Sequence, residues 1–111
     1  MIDFNLKNFD LFYEEDYIVK IQQEYNQGMY FINKLKKYKN KTITLNKLNK
    51  LFNLNGFDFA SFEDKYYETL YIDGDTTGIY DVISLDECYI GFTYEILPKD
   101  KIKIKGFYKD S

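Results

Sequence analysis

Apolar residues follow two different rhythms along this chain of 111 residues. Between Tyr13 and Tyr38, the residues Ile18, Ile21, Tyr25, Met29, Ile32 and Leu35 recur at three- and four-residue steps, one stripe of a long helix. Glu14, Glu15 and Asp16 occupy its first turn and Lys34, Lys36 and Lys37 its last, the order the helix dipole favours. Gly28 interrupts the stripe at a cost of about 1 kcal/mol against alanine, and so marks a kink or a close contact. In the next segment, TLNKLNKLFNLNG, Thr44 is placed to cap a shorter helix and Asn55-Gly56 to stop it. Leu45, Leu48, Leu51 and Phe52 line one face of that helix. The stretch 57–65 reads equally as a third helix or as a loop carrying Phe57, Phe59 and Phe62 into the core.

From Tyr66 onward the period becomes two, predicting strands near Tyr67–Ile72, Ile79–Ser84, Cys88–Ile96 and Lys101–Tyr108. Cys88, Ile90, Phe92, Tyr94 and Ile96 share one face of the third. In the fourth, Ile102 and Ile104 point inward while Lys101, Lys103 and Lys105 point outward, where they would blunt the strand if it formed an edge. A three-residue turn at Pro98-Lys99-Asp100 sets Ile96 opposite Ile102 and Glu95 opposite Lys103, so apolar meets apolar and acid meets base. The expected fold is α+β: N-terminal helices, one long and one or two short, packed on a C-terminal antiparallel sheet of about four strands. Residues 1–111 read as a single domain.

Composition narrows the chemistry. The sequence has no His, no Trp and no Arg, and all 15 basic residues are Lys. Without His, the usual general base near neutral pH and the commonest transition-metal ligand are missing. With the single cysteine Cys88, a zinc site of familiar type and an internal disulfide are both excluded. Cys88 falls on the inward face of a strand and reads as a core thiol. The expectation is therefore no enzyme, no cofactor and no metal. Neither a signal-like apolar run in Met1–Asp10 nor a bilayer-length apolar stretch is visible, which predicts a cytoplasmic protein without membrane contact. The scarcity of Ala, Pro and Arg beside 12 Tyr points to AT-rich coding, as in a low-GC bacterium, its phages or mobile elements.

Charge is laid out in three blocks. Residues 1–57 carry nine Lys against six acids, residues 58–100 carry eleven acids against two Lys, and residues 101–111 carry four Lys against one acid. One reading is internal, with the basic tail pairing the acidic block within one sheet. Two familiar motifs fail inside this pattern. Asp73, Asp75, Thr77, Gly78 and Asp81 follow a calcium-loop spacing, but the last ligand position is Ser84 and the flanks alternate like strands. YIDGDTTGIYD thus predicts an acidic hairpin turn. A helix-turn-helix beginning at Thr42 would present Asp58, Glu63, Asp64 and Glu68 to phosphates with only Lys65 in support, which opposes DNA binding.

Surplus tyrosine changes the picture further, because 12 Tyr and 10 Phe exceed what a core this size needs. Tyr66, Tyr71, Tyr80 and Tyr89 are expected at the surface. The leading expectation is a non-catalytic interaction protein of the inhibitor, immunity or counter-defence kind. Its acidic, Tyr-rich surface would be formed by Tyr71, Asp73, Asp75, Tyr80, Asp81, Asp86 and Glu87. Its partner is a protein, one with a basic nucleic-acid-binding groove being the best match in charge. The alternatives are a nucleic-acid accessory protein using the Lys34–Lys50 cluster, which holds seven Lys and no acid, and a structural subunit of a larger assembly.

Overall fold

The computed structural model describes residues 15–85 and 87–110, with side chains from residue 18 onward. Helix α1 spans Glu15–Leu35 and ends in a tight 3-10 turn over Lys36–Tyr38. The expected helix start at Tyr13 and the acidic side chains of Glu14, Glu15 and Asp16 lie outside the described residues. A short strand β1 (Thr42–Thr44) leads directly into α2 (Leu45–Leu54). The Thr44 side chain accepts from Lys47 N at 3.0 Å, the cap that the sequence places there. Gly56, at φ 78°, reverses the chain, and Asp58 caps α3 (Phe59–Tyr67) by accepting from Ala60 N. The stretch 57–65 is therefore helical from Phe59.

Strands β2 (Thr77–Leu85), β3 (Cys88–Leu97) and β4 (Lys101–Asp110) form an antiparallel meander. The sheet order is β1-β4-β3-β2, so β4 is an interior strand and not the edge expected of it, because β1 comes from between α1 and α2 and docks on it. Leu97 pairs with Lys101, Ile96 with Ile102 and Glu95 with Lys103, as the three-residue turn requires. The turn holds Lys99 and Asp100 at φ 64° and 56°. Asp100 also accepts from Leu45 N at 2.8 Å, which fixes the start of α2 to the hairpin.

All three helices cover one face of the sheet. Phe92, Tyr94, Ile96, Ile102 and Ile104 meet Phe31 and Leu35 of α1, Leu48 and Phe52 of α2, and Phe59 and Phe62 of α3. Phe62 is the hub, with ring centroids 5.2 Å from Tyr94, 5.3 Å from Tyr80 and 5.9 Å from Phe92. A second cluster joins Tyr25 and Ile32 of α1 to Ile83, Cys88 and Ile90. Gly28 marks a close contact: α1 lies so near β2 there that a Cβ would enter the Ile83 side chain.

Three expectations are corrected. Tyr67–Ile72 is helix rather than strand, because α3 continues as a π turn over Glu68–Ile72. The buried positions Phe59, Phe62, Tyr66 and Thr69 prolong one helical face, which overrides the β-rich local composition. Thr69 donates to Lys65 O at 2.8 Å, leaving its oxygen 2.9 Å from the Tyr94 hydroxyl as acceptor. YIDGDTTGIYD is consequently a helix-to-strand connection and not a hairpin turn. Asp73 N donates to Glu68 O and Asp75 N to Thr69 O, each at 2.8 Å, and Gly74 takes φ 68° between them. Tyr66, expected at the surface, is buried against Phe62 on the same inward face.

Candidate functional site

The expected site residues separate into three places. Tyr71 is 72% exposed on the π turn, with its ring stacked on Tyr67 at 5.8 Å. Asp73 and Asp75 follow it on the exposed connection. Asp81 lies on the outer face of β2, whereas Tyr80 faces inward, half-buried among Phe52, Phe62 and Phe92. Glu87 is exposed at the far end of β2, roughly 25–30 Å from Asp75 at about 3.3 Å per strand residue. Asp86 lies outside the described residues. Tyr71, Asp73 and Asp75 thus share one end of the molecule, Asp81 stands midway along β2, and Glu87 joins neither.

Asp81 has a structural partner. It is the register neighbour of Gly91, which is the neighbour of Tyr108, so the three form a row across β2, β3 and β4. The Tyr108 hydroxyl reaches over Gly91 and donates to Asp81 Oδ1. A Cβ at Gly91 would stand 2.5 Å from that hydroxyl, so only glycine leaves the row open. Burial first, then the bond to Asp81, pushes the Tyr108 phenol up from its ordinary value.

A groove of about 480 Å³ runs between α3 and β2. On the helix side it is lined by Ser61, Asp64, Lys65 and Glu68, one face at steps of three and four. On the strand side it is lined by Ile79, Tyr80 and Asp81. Lys65 sits 3.9 Å from Glu68, and Ser61 faces Tyr80 across the groove. Burial raises the Tyr80 phenol, Ser61 opposes that shift, and Asp58 and Asp81 add to it. Sequence reasoning did not assign Ser61, Asp64, Glu68 and Ile79 to this site. Their common face becomes visible only when residues 59–72 are read as one helical stretch.

The sheet order converts the charge blocks of the sequence into two flanks. The basic strand β4 pairs with β1 and β3, and β2, which carries Asp81 and no Lys, is kept at the far edge beside the acid-bearing α3. Among the described residues only Lys105–Glu95 and Lys65–Glu68 form ion pairs, both at 3.9 Å. The internal neutralisation of acidic block by basic tail is thus limited to the Lys105–Glu95 pair. Lys39 and Lys41 lie by β1, next to Lys101 and Lys103 of β4. Lys37 and Lys47 flank the Tyr38 ring at 5.3 and 5.9 Å. Cys88 is a buried free thiol, and no cluster of three metal-ligating side chains occurs among the described residues. No helix described is long and apolar enough to cross a membrane. Compared with known proteins, the chain matches no family model, no curated protein and no solved structure.

Proposed function

We propose that this chain is a non-catalytic interaction domain that binds and blocks a basic protein partner through its α3–β2 flank. The observation that carries the reading is the segregation of charge: Asp58, Glu63, Asp64, Glu68, Asp73, Asp75 and Asp81 are all exposed on α3, the connection and β2. A partner with lysines or arginines lining a groove, such as one that takes nucleic acid, offers the complementary field. The stacked, exposed Tyr67 and Tyr71 supply rigid contact area beside the carboxylates. Inhibitor, immunity and counter-defence proteins work in this way, by occupying a surface instead of transforming a substrate.

The test is charge reversal of Glu68, Asp73 and Asp75 to Lys, with the partner isolated by pull-down using the unaltered protein. Affinity should fall by about ten-fold or more and its salt dependence should flatten. Unchanged affinity and unchanged salt dependence would sink the proposal.

A second reading draws on the opposite flank. There Lys39 and Lys41 lie beside Lys101 and Lys103, with Tyr38 between two further lysines, an arrangement that suits an anionic polymer. Its signature is retention of DNA or RNA that falls steeply with salt. No gel retardation at low salt would remove it.

A further inference from the structure

The ladder of the sheet gives the acidic groove a direction. Ile96 N donates to Thr76 O, which makes Thr76 and Ile96 a hydrogen-bonded pair. Bonded and non-bonded pairs alternate in an antiparallel ladder. Gly78 opposite Tyr94 and Tyr80 opposite Phe92 therefore turn their main-chain groups toward β3. Thr77, Ile79 and Asp81 turn theirs away, toward the side of β2 where no further strand lies among the described residues. That side opens on the groove whose other wall is Asp64 and Glu68 of α3. The register shift between Asp81 and Ile83 ends the regular stretch, so the available edge is Thr77–Asp81.

We infer that an extended peptide segment with lysine or arginine at alternate positions adds to Thr77–Asp81 as a further strand. Its main chain bonds Thr77, Ile79 and Asp81, and its inward side chains meet Asp64 and Glu68 over the Tyr80 ring. Its outward side chains are β-branched or small and cover Ile79, which is 55% exposed. The inference rests on the acidic-flank reading and specifies how that flank is used. Charge selects the occupant: a second β2 edge would set Asp64, Glu68 and Asp81 against their own copies, whereas a basic segment neutralises them.

The probe is the capped peptide Lys-Thr-Lys-Val-Lys-Thr-Lys, added to the protein at low salt and followed by residue-resolved amide hydrogen exchange. In the free protein, Ile79 and Asp81 should exchange fast and Gly78 and Tyr80 slowly. Peptide should slow Ile79 and Asp81 by about ten-fold or more and leave Gly78 and Tyr80 unchanged. Peptides N-methylated on one or the other alternate set of amides should differ, one binding and one not. The exposed substitutions Asp64→Lys and Glu68→Lys should remove the protection. Binding with no change at Ile79 and Asp81, or equal binding of both methylated peptides, would overturn strand addition and leave the acidic flank standing. No binding at low salt would overturn both. Protection of Ile79 and Asp81 that rises with protein concentration and needs no peptide would make a second copy the occupant, and would also refute the inference.

Discussion

Replacing Gly28 by alanine sets two effects of known size against each other at one position. Within α1, alanine is worth about 1 kcal/mol over glycine. The added methyl, however, falls inside Cγ1 and Cδ1 of Ile83, with Ile83 Cβ 3.7 Å away. Ile83 is 3% exposed and enclosed by Tyr25, Ile32, Cys88 and Ile90, so it has little room to turn aside. Overpacking of this kind costs about 1–3 kcal/mol. The net expectation is a loss of about 1 kcal/mol, or roughly 4 °C in melting temperature for a domain of this size. A small net value decides little, and the sharper quantity is its dependence on Ile83. Ile83→Ala alone should lose about 2–5 kcal/mol. In that background the Gly28→Ala methyl enters vacated space and should stabilise by about 1 kcal/mol, so its effect changes sign. Urea unfolding followed by far-UV circular dichroism on the four proteins of the cycle measures this coupling. If Gly28→Ala has the same effect in both backgrounds to within about 0.5 kcal/mol, α1 does not rest on β2 at this point and the reasoning fails.

Other expectations follow from the caps, the turn and the buried phenols. Thr44→Ala removes the bond to Lys47 N and should cost about 1 kcal/mol by urea unfolding. Lys99→Gly relieves a side chain held at φ 64° in an exposed turn, and should stabilise by about 0.5–1 kcal/mol in the same assay. Burial raises Tyr94 and Tyr66 above the ordinary phenol value. The fold therefore favours their neutral forms, and its stability is intact below pH 10 and falls as pH rises above 10. Urea midpoints taken between pH 8 and 11 should show a plateau and then a decline, and Tyr94→Phe should shrink the decline.

Where one signal governed an element, the sequence sufficed to read it. The alternation Cys88, Ile90, Phe92, Tyr94, Ile96 left only one face that could be buried, and the length of the Pro98–Asp100 turn set the pairing with β4. Residues 67–72 carried two signals. Tyr, Thr and Ile favour strands, but the face shared by Phe62, Tyr66 and Thr69 is a tertiary fact settled by Tyr94, 25 positions away from Thr69. Strand β1 is only three residues long, too short to show a period, and exists because Ile43 finds Ile102. The acidic character of the candidate site was readable from composition. Its geometry was not, since Asp64 and Glu68 reach β2 only through the helical reading of a segment whose alternation pointed elsewhere.

The sheet order also bears on how a nascent chain acquires this structure. Strand β4 is the last of the four to leave the ribosome, yet it occupies the interior of the sheet, between β1 and β3. Until residues 101–110 emerge, β1 has no neighbour and the N–H of Leu45 lacks its acceptor on Asp100. The helices and the β2–β3 hairpin can form locally during synthesis, but the long-range closure waits for the final strand. A chain stalled or cut before Lys101 would expose Ile43, Leu45, Tyr94 and Ile96 together, and is the form in which this protein would most readily meet a chaperone or protease.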